Sequence, residues 1–194
     1  MGNSCAAKSA QFPSSEEATR LQELWARKFQ NDDLFFVDAF ASALGMAPRL
    51  HQLFGVDSST DLQRDTKVVE IAKRQRAFFA ALLETTEDGC VLDDATTFTI
   101  RCAQLGGRHV NYKITPTYWD VYAAASCETL SGRKGAGAGD VQLWGAFLRR
   151  VLELMTEGYE ESKRHHHREL VLGPGPKDDD DDDYTTEETR KSFV

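Results

Sequence analysis

The sequence predicts an all-α domain, and three features support this prediction. Apolar residues recur at helical spacing over long stretches, most clearly in the stretch 144–159. Residues that favour helix starts stand before such stretches, among them Ser14, Asp94 and Pro116. A length of 194 residues with 41% hydrophobic content suits one domain with a single core.

Composition divides the chain into three parts. Residues 1–13 are small and polar and are predicted to be flexible, residues 14–168 form the helical domain, and residues 169–194 form a disordered acidic tail. The formal net charge is −8, of which −5 lies in residues 177–194. This charge argues against nucleic acid as a partner, since such a partner requires a basic surface.

The first half of the domain contains three predicted helices. Ser14 and Glu17 have the spacing of a capping box and open the first helix. The run 31–33, Asn-Asp-Asp, is expected to cap a second helix that ends at Gly45. The stretch 48–54 begins with proline and predicts a short third helix.

The second half of the domain contains four more predicted helices. One spans about residues 67–85, and the next follows the acidic pair 93–94, which is expected to cap it. Pro116 starts another helix, and the glycine-rich segment 131–139 leads to the last helix, capped by Asp140. The four cysteines show no metal-ligand or disulfide spacing, which favours a reducing, cytosolic setting.

His109 is the residue around which a functional site is predicted. Phe98, Cys102 and Leu105 precede it at spacings that place all four side chains on one helix face. A lone histidine on an apolar face is more often a core residue than a ligand. Here an aromatic-rich helix precedes it and a proline-initiated helix follows, and an apolar slot closed by one imidazole is what a haem requires. The pair Gly106-Gly107 predicts either fraying or close approach of the backbone to the porphyrin.

Five anchors occur in order along the chain: Trp25, Phe40, the Pro48–Phe54 corner, His109 and the stretch 143–159. With these anchors the region from residue 14 to residue 164 resembles a globin, and more the neuroglobin and globin X branch than oxygen-store globins. The resemblance implies a globin fold of about seven to eight helices around a haem pocket, with haem b as the cofactor.

The resemblance also implies the residues of that pocket. His109 corresponds to the proximal ligand of the haem iron. Phe54 corresponds to the residue that packs on the haem face, and Phe40 to the residue that roofs the distal side. Further cofactor contacts are expected from residues on the helices that flank the haem: Ile71, Phe78, Leu105, Val110 and Ile114.

The residue at the distal position is left open by the sequence. Helical periodicity places either Arg74 or, with the register shifted by one, Gln75 there. No histidine lies between His51 and His109, so the two-histidine ligation common among neuroglobin-like proteins is expected to be absent. An arginine or glutamine can donate a hydrogen bond but is not a strong iron ligand.

The two ends of the sequence predict partners. Gly2 is a candidate for myristoylation and Cys5 for palmitoylation, although Ala6 departs from the usual pattern. These acyl chains would hold the protein in the inner leaflet, at the cytoplasmic face of the plasma membrane. Ser192 and Val194 match a carboxyl-terminal ligand of PDZ domains.

Together these features predict a membrane-tethered haem globin that binds oxygen or nitric oxide for sensing or redox signalling rather than storage. Sustained redox chemistry would require an external reductant, and no hydrolytic constellation is seen. The alternative from another class is a haem-less, globin-like membrane adaptor that acts through protein–protein contacts. The Gly106-Gly107 pair and the missing distal histidine favour that alternative.

Overall fold

The computed structural model describes residues 13–57, 61–87 and 89–172, with side chains of the last helix described to residue 168. This part of the chain contains seven α-helices and three short 3-10 turns, which confirms the all-α prediction. The helices are α1 Ser15–Lys28, α2 Phe35–Met46, α3 Arg49–Phe54, α4 Thr66–Leu83, α5 Ala95–His109, α6 Pro116–Ser131 and α7 Ala138–Leu172. None of the described helices is both long enough and apolar enough to cross a bilayer. The predicted lipid sites Gly2 and Cys5, and the terminal Ser192 and Val194, lie outside the described residues.

Side-chain caps fix three of the helix starts. The Ser14 hydroxyl and the Glu17 carboxylate form the reciprocal capping box at the start of α1. The Asp65 carboxylate accepts from two backbone N–H groups at the start of α4, and the Asp94 carboxylate does the same for α5. These caps satisfy N–H groups that the helix itself leaves without partners.

The boundaries of two helices differ from the sequence prediction. The acidic run does not cap α2, because the Asp32 carboxylate accepts from the backbone of Leu34 and so stabilises the turn before the helix. The helix then continues through Gly45 and ends at Met46, since Pro48 restricts the backbone of the residue before it. At the other end of the chain, α7 begins before Asp140, at Ala138, and its backbone continues past residue 168 to Leu172.

The core is an aromatic cluster where α1, α2, α4 and α7 meet. Trp144 of α7 is fully buried, and its ring centroid lies 4.5 Å from that of Phe29 and 5.3 Å from that of Phe79. Its indole N–H donates to the buried Ser126 hydroxyl of α6 at 2.9 Å. The most extensive helix pairings are α5 with α7 and α2 with α6. Helix α7 packs mainly on α5 and α6, whereas α2 packs on α4 and α6.

Two glycines bring α5 and α7 into backbone contact. A methyl group at Gly106 would overlap the Met155 carbonyl, and one at Gly158 would overlap the Ala103 carbonyl. Each helix thus contributes the glycine that lets the backbone of the other approach. The close approach expected near Gly106-Gly107 is found, but the neighbour is α7. Because α5 carries His109 at its end, this seam, Gly106 with Gly158, fixes the position of the histidine.

Candidate functional site

Helices α4 and α5 are consecutive in the chain but are not one of the packed helix pairs of the described structure. Each packs on other elements, α4 on α2 and α5 on α7. The name α4–α5 slot is used below for the region of four half-buried apolar side chains that pack against the core from α3, α4 and α5: Phe54, Ile71, Phe78 and Leu105. Apolar side chains that stay half-buried are the kind of lining that a flat apolar group requires.

Burial along α4 distinguishes two faces of the helix. Val68, Ala72 and Phe79 are at most 5% exposed and belong to the core. Ile71, Gln75 and Phe78 follow each other at spacings of four and three, share the adjacent face and are half-buried. Arg74 is exposed. The structure therefore places Gln75, together with Ile71 and Phe78, towards the interior and places the Arg74 side chain in solvent.

His109 is held in one orientation and one tautomer by its own helix. Its Nδ1 atom lies 2.7 Å from the carbonyl oxygen of Leu105. Because a carbonyl can only accept a hydrogen bond, Nδ1 must carry the proton, which leaves the Nε2 lone pair of the neutral ring free. Burial lowers the pKa of His109 below its ordinary value, although the Leu105 carbonyl acts in the opposite direction. A neutral imidazole with its second nitrogen so engaged is the usual state of a metal-ligating histidine.

Aromatic side chains surround the imidazole ring. The Trp119 ring meets it edge to face at a centroid distance of 5.4 Å, and Tyr112 packs on it at 6.4 Å. Trp119 is in turn packed against Tyr159 of α7 at 5.8 Å. Ile114 is buried just beyond the histidine, as the sequence predicts for a packing residue. These contacts leave the ring little freedom to rotate.

Phe40 and Phe54 bring α2 and α3 to the site. Their rings are in edge-to-face contact with centroids 5.1 Å apart. Phe40 is buried, whereas Phe54 is half-buried and packs against the core. The predicted roles, Phe40 above the distal side and Phe54 on the haem face, would require the two side chains to be neighbours, and they are.

Several buried polar atoms on α3, α4 and α6 have no hydrogen-bond partner in the described structure, among them His51 Nδ1, Gln75 Oε1, Trp119 Nε1 and Tyr122 Oη. Such atoms are rare in folded proteins, since each costs free energy unless a ligand or water pairs with it. Burial raises the pKa of Tyr122, so its hydroxyl keeps its proton and can donate. The sequence placed Tyr122 on the apolar face of α6 but gave no sign that its hydroxyl is unpaired.

Val110 lines a groove of about 500 Å³ between the end of α5 and α7, together with Gly107 and Ser162. A second groove, of about 550 Å³, lies between α6 and α7 beside Cys127 and Gly145. Neither groove has Gln75, Phe54 or His109 among its lining residues.

The residues present fit a haem. One imidazole carries its proton on Nδ1 and keeps the Nε2 lone pair, half-buried apolar side chains lie on α3, α4 and α5, and several buried polar atoms lack partners in the described structure. Within the described residues, no group of three or more histidine, cysteine or acidic side chains is arranged to hold a bare metal ion. A metal that is bound mainly by a porphyrin needs only one protein ligand, which His109 can supply.

Comparison with known proteins agrees with this geometry. The family model described as Globin matches residues 37–155. Deoxy haemoglobin from Dasyatis akajei shares the fold with a TM-score of 0.60 and 16% identity, over 75% of this chain and 97% of that one. The globin-like protein Glb-12 from C. elegans gives a TM-score of 0.64 and 17% identity, over 78% of this chain and 91% of that one. A search of curated sequences finds no match.

Proposed function

The chain belongs to the globin family, and on that premise we propose that it binds haem b and, at the haem iron, a diatomic gas such as oxygen or nitric oxide. Globins normally bind haem, and three of the anchors, Phe40, Phe54 and His109, are the ones that the resemblance assigns to the haem pocket. In this proposal His109 is the proximal ligand. Gln75, Ile71, Phe78, Phe40 and Phe54 shape the side on which the gas binds.

The observation that carries the proposal is the 2.7 Å contact between His109 Nδ1 and the Leu105 carbonyl. This hydrogen bond fixes the tautomer, so the nitrogen that remains is the one with a lone pair. It also increases the basicity of the ring and therefore its strength as a ligand. A core histidine without a ligand would leave Nε2 unused.

Each remaining residue has a role that follows from its placement. The haem iron, when bound, supplies the open coordination position at which a gas can be taken up. Gln75 lies half-buried on the face of α4 that carries Ile71 and Phe78, and its Nε2 group can donate a hydrogen bond to a polar ligand. Arg74 is exposed next to the same helix face, where its cation suits a haem propionate at the edge of the slot. Leu105 and Ile114 exclude water near the histidine.

The finer predictions are part of the same proposal and await separate tests. A role in sensing or redox signalling, with an external reductant, is supported by the absence of a histidine in α4 and by the predicted anchoring. Anchoring rests on Gly2 and Cys5, and a PDZ partner on Ser192 and Val194. Membrane fractionation of cells that carry the protein or its Gly2→Ala variant tests the anchor, since the variant should move to the soluble fraction.

Haem binding is tested by adding hemin to the purified protein and recording the visible spectrum. The wild type should take up one haem with a sharp Soret band, and the reduced form should bind carbon monoxide. His109→Ala should lose the wild-type spectrum and most of the haem affinity. His165→Ala is the matched control, because His165 is exposed on α7, outside the slot.

Two results would contradict the proposal. A folded wild-type protein that shows no Soret band once excess hemin has been removed would favour the haem-less adaptor. The glycine pair that suggested this alternative is explained by the contact with α7. A spectrum that is unchanged in His109→Ala would show that another side chain holds the haem. The ferrous protein without gas should be high-spin and five-coordinate, since α4 offers no imidazole.

A further inference from the structure

The groove between the end of α5 and α7 is lined by basic and polar side chains. Arg108 and Asn111 contribute to it from the end of α5 and the turn that follows, and His165 and His166 contribute from α7. These four side chains are exposed. No acidic side chain is among the described residues that line the groove. An anionic group in the groove would therefore meet a cation and several hydrogen-bond donors.

The wall that α7 supplies is the most basic part of that helix. Residues 163–168 read Lys-Arg-His-His-His-Arg, which gives three formal positive charges when the histidines are counted as neutral. All six side chains are exposed. Glu160 and Glu161 precede this stretch, but neither lines the groove. The groove thus opens beside a row of exposed cations.

Beyond Leu172, where the description of α7 ends, the sequence becomes strongly acidic. Residues 173–177 read Gly-Pro-Gly-Pro-Lys, and the positions 178–183 are six consecutive aspartates. Proline lacks the N–H group that would extend α7 beyond this point. Six adjacent carboxylates repel one another, so a cationic surface is a favourable place for them.

The acidic run 178–183 is close enough to reach the groove of its own chain. His166 lies six residues before Leu172, which is about 9 Å along the helix axis. The first aspartate lies six residues after Leu172, and six extended residues span up to about 20 Å. So short a connection also keeps the local concentration of the run at the groove in the range of about 1 mM or above. Individually weak, exposed ion pairs can therefore hold it there.

We propose that the acidic run 178–183 docks in the groove between α5 and α7 of the same chain. The contact is ionic and reversible. Because Gly107 and Arg108 directly precede His109, the docked run connects α7 with the end of the helix that carries the histidine. The inference is independent of haem binding. Docking would also withhold this basic surface from other anionic partners, such as an acidic membrane.

The test compares amide signals of the full chain in ¹⁵N–¹H NMR spectra, with any bound haem kept as its diamagnetic carbon monoxide complex. One variant carries Asp→Asn at all six positions 178–183, which keeps the size of the side chains and removes their charge. The control is the double variant Glu187→Gln and Glu188→Gln, which removes charge beyond the run. The first variant should shift the groove amides of Gly107, Asn111 and Ser162 by more than the control does.

Two further observations should accompany these shifts. Signals of the second groove, such as that of Gly145, should stay in place. In the wild type, about 1 M sodium chloride should move the groove signals towards their positions in the Asp→Asn variant, because it reduces the screening length to about 3 Å.

Three results would overturn the inference. Groove signals that are the same in the wild type and the Asp→Asn variant at low salt would show that the run does not dock. Groove signals that depend on protein concentration would assign the groove to the tail of a second copy. Groove signals that are unaffected by the variant but move equally in both proteins on addition of phosphatidylserine vesicles would assign it to a lipid surface.

Discussion

The surroundings of His109 differ from those of two buried polar side chains on α4 and α6. The Nδ1 atom of His109 is paired with the Leu105 carbonyl, and α5, which carries the histidine, is fixed to α7 through Gly106 and Gly158. Gln75 Oε1 on α4 and Tyr122 Oη on α6, by contrast, are buried and have no partner in the described structure. The protein therefore orients the histidine itself, whereas it leaves these two oxygens unsatisfied.

This difference indicates which part of the site the protein finishes alone. A metal ligand must be held in place before the metal arrives, and a second hydrogen bond together with tight packing achieves that. Buried polar atoms without a partner instead lower the stability of the empty protein. The fold therefore combines an oriented histidine with polar atoms that the described part of the protein leaves unpaired.

The largest effect is expected from adding a methyl group at Gly106, where the backbones of α5 and α7 are in contact. Gly106→Ala places a methyl group on the Met155 carbonyl, and backbone atoms cannot move aside as a flexible side chain can. The overlap should lower the free energy of unfolding by roughly 3 kcal/mol, which corresponds to a fall in Tm of roughly 6–12 °C. Thermal unfolding of the haem-free protein measures it.

Gly45→Ala is the matched control for the seam. Gly45 is also in a helix, but a methyl group there would meet nothing within 4 Å. Its effect should be a gain of about 0.5 kcal/mol from the lower entropy of the unfolded chain. If both variants behaved alike, α5 would not be held by α7 in the way described.

Smaller effects, opposite in sign to each other, are expected when the two buried hydroxyls of α6 are removed one at a time. Ser126→Ala should leave the Trp144 indole N–H buried without a partner and cost about 2 kcal/mol. Tyr122→Phe removes an oxygen that has no partner and should stabilise the haem-free protein by about 1 kcal/mol. Urea unfolding of both variants measures the contrast. Equal losses would mean that Tyr122 has a protein partner.

The smallest effect is expected at the first turn of α5, and it depends on pH. Hydrogen bonds from the Thr97 side chain and backbone, and from the Thr96 backbone, lower the pKa of Asp94 below 3.8. Because the folded state favours the carboxylate, the stabilisation is present above the unfolded pKa and is lost as pH falls through the folded value. Asp94→Ala should therefore lower Tm at neutral pH, and the gap should close below pH 3.8.

Asp93→Ala provides the control for the cap. It removes the neighbouring carboxylate, while the backbone N–H groups of α5 stay bonded to Asp94. A Tm that falls equally in both variants would attribute the effect to net charge and not to capping.

Much of the fold could be predicted because the relevant signals are local. The capping box at Ser14, the cap at Asp94 and the proline at the start of α6 each act within one turn, and the structure confirms them. The errors at α2 and α7 arose where two local signals compete. Acidic residues can cap a helix or stabilise the turn before it, and only the tertiary arrangement of Asp32 decides.

The candidate site was predictable only where its signals are local. The prediction of His109 uses its helix face and its neighbours, but the choice between Arg74 and Gln75 depends on which face of α4 packs on α2. The unpaired state of Tyr122 and the contact of Gly158 with α5 arise between segments far apart in sequence, so no local pattern reveals them.

The central claim is that a porphyrin iron is bound by Nε2 of His109. The most direct test is His109→Gly in the presence and absence of free imidazole. The variant should take up hemin poorly, and millimolar imidazole should restore the wild-type Soret band, since the small molecule can occupy the space that the side chain leaves. A variant that binds hemin with the wild-type spectrum without imidazole would contradict the claim.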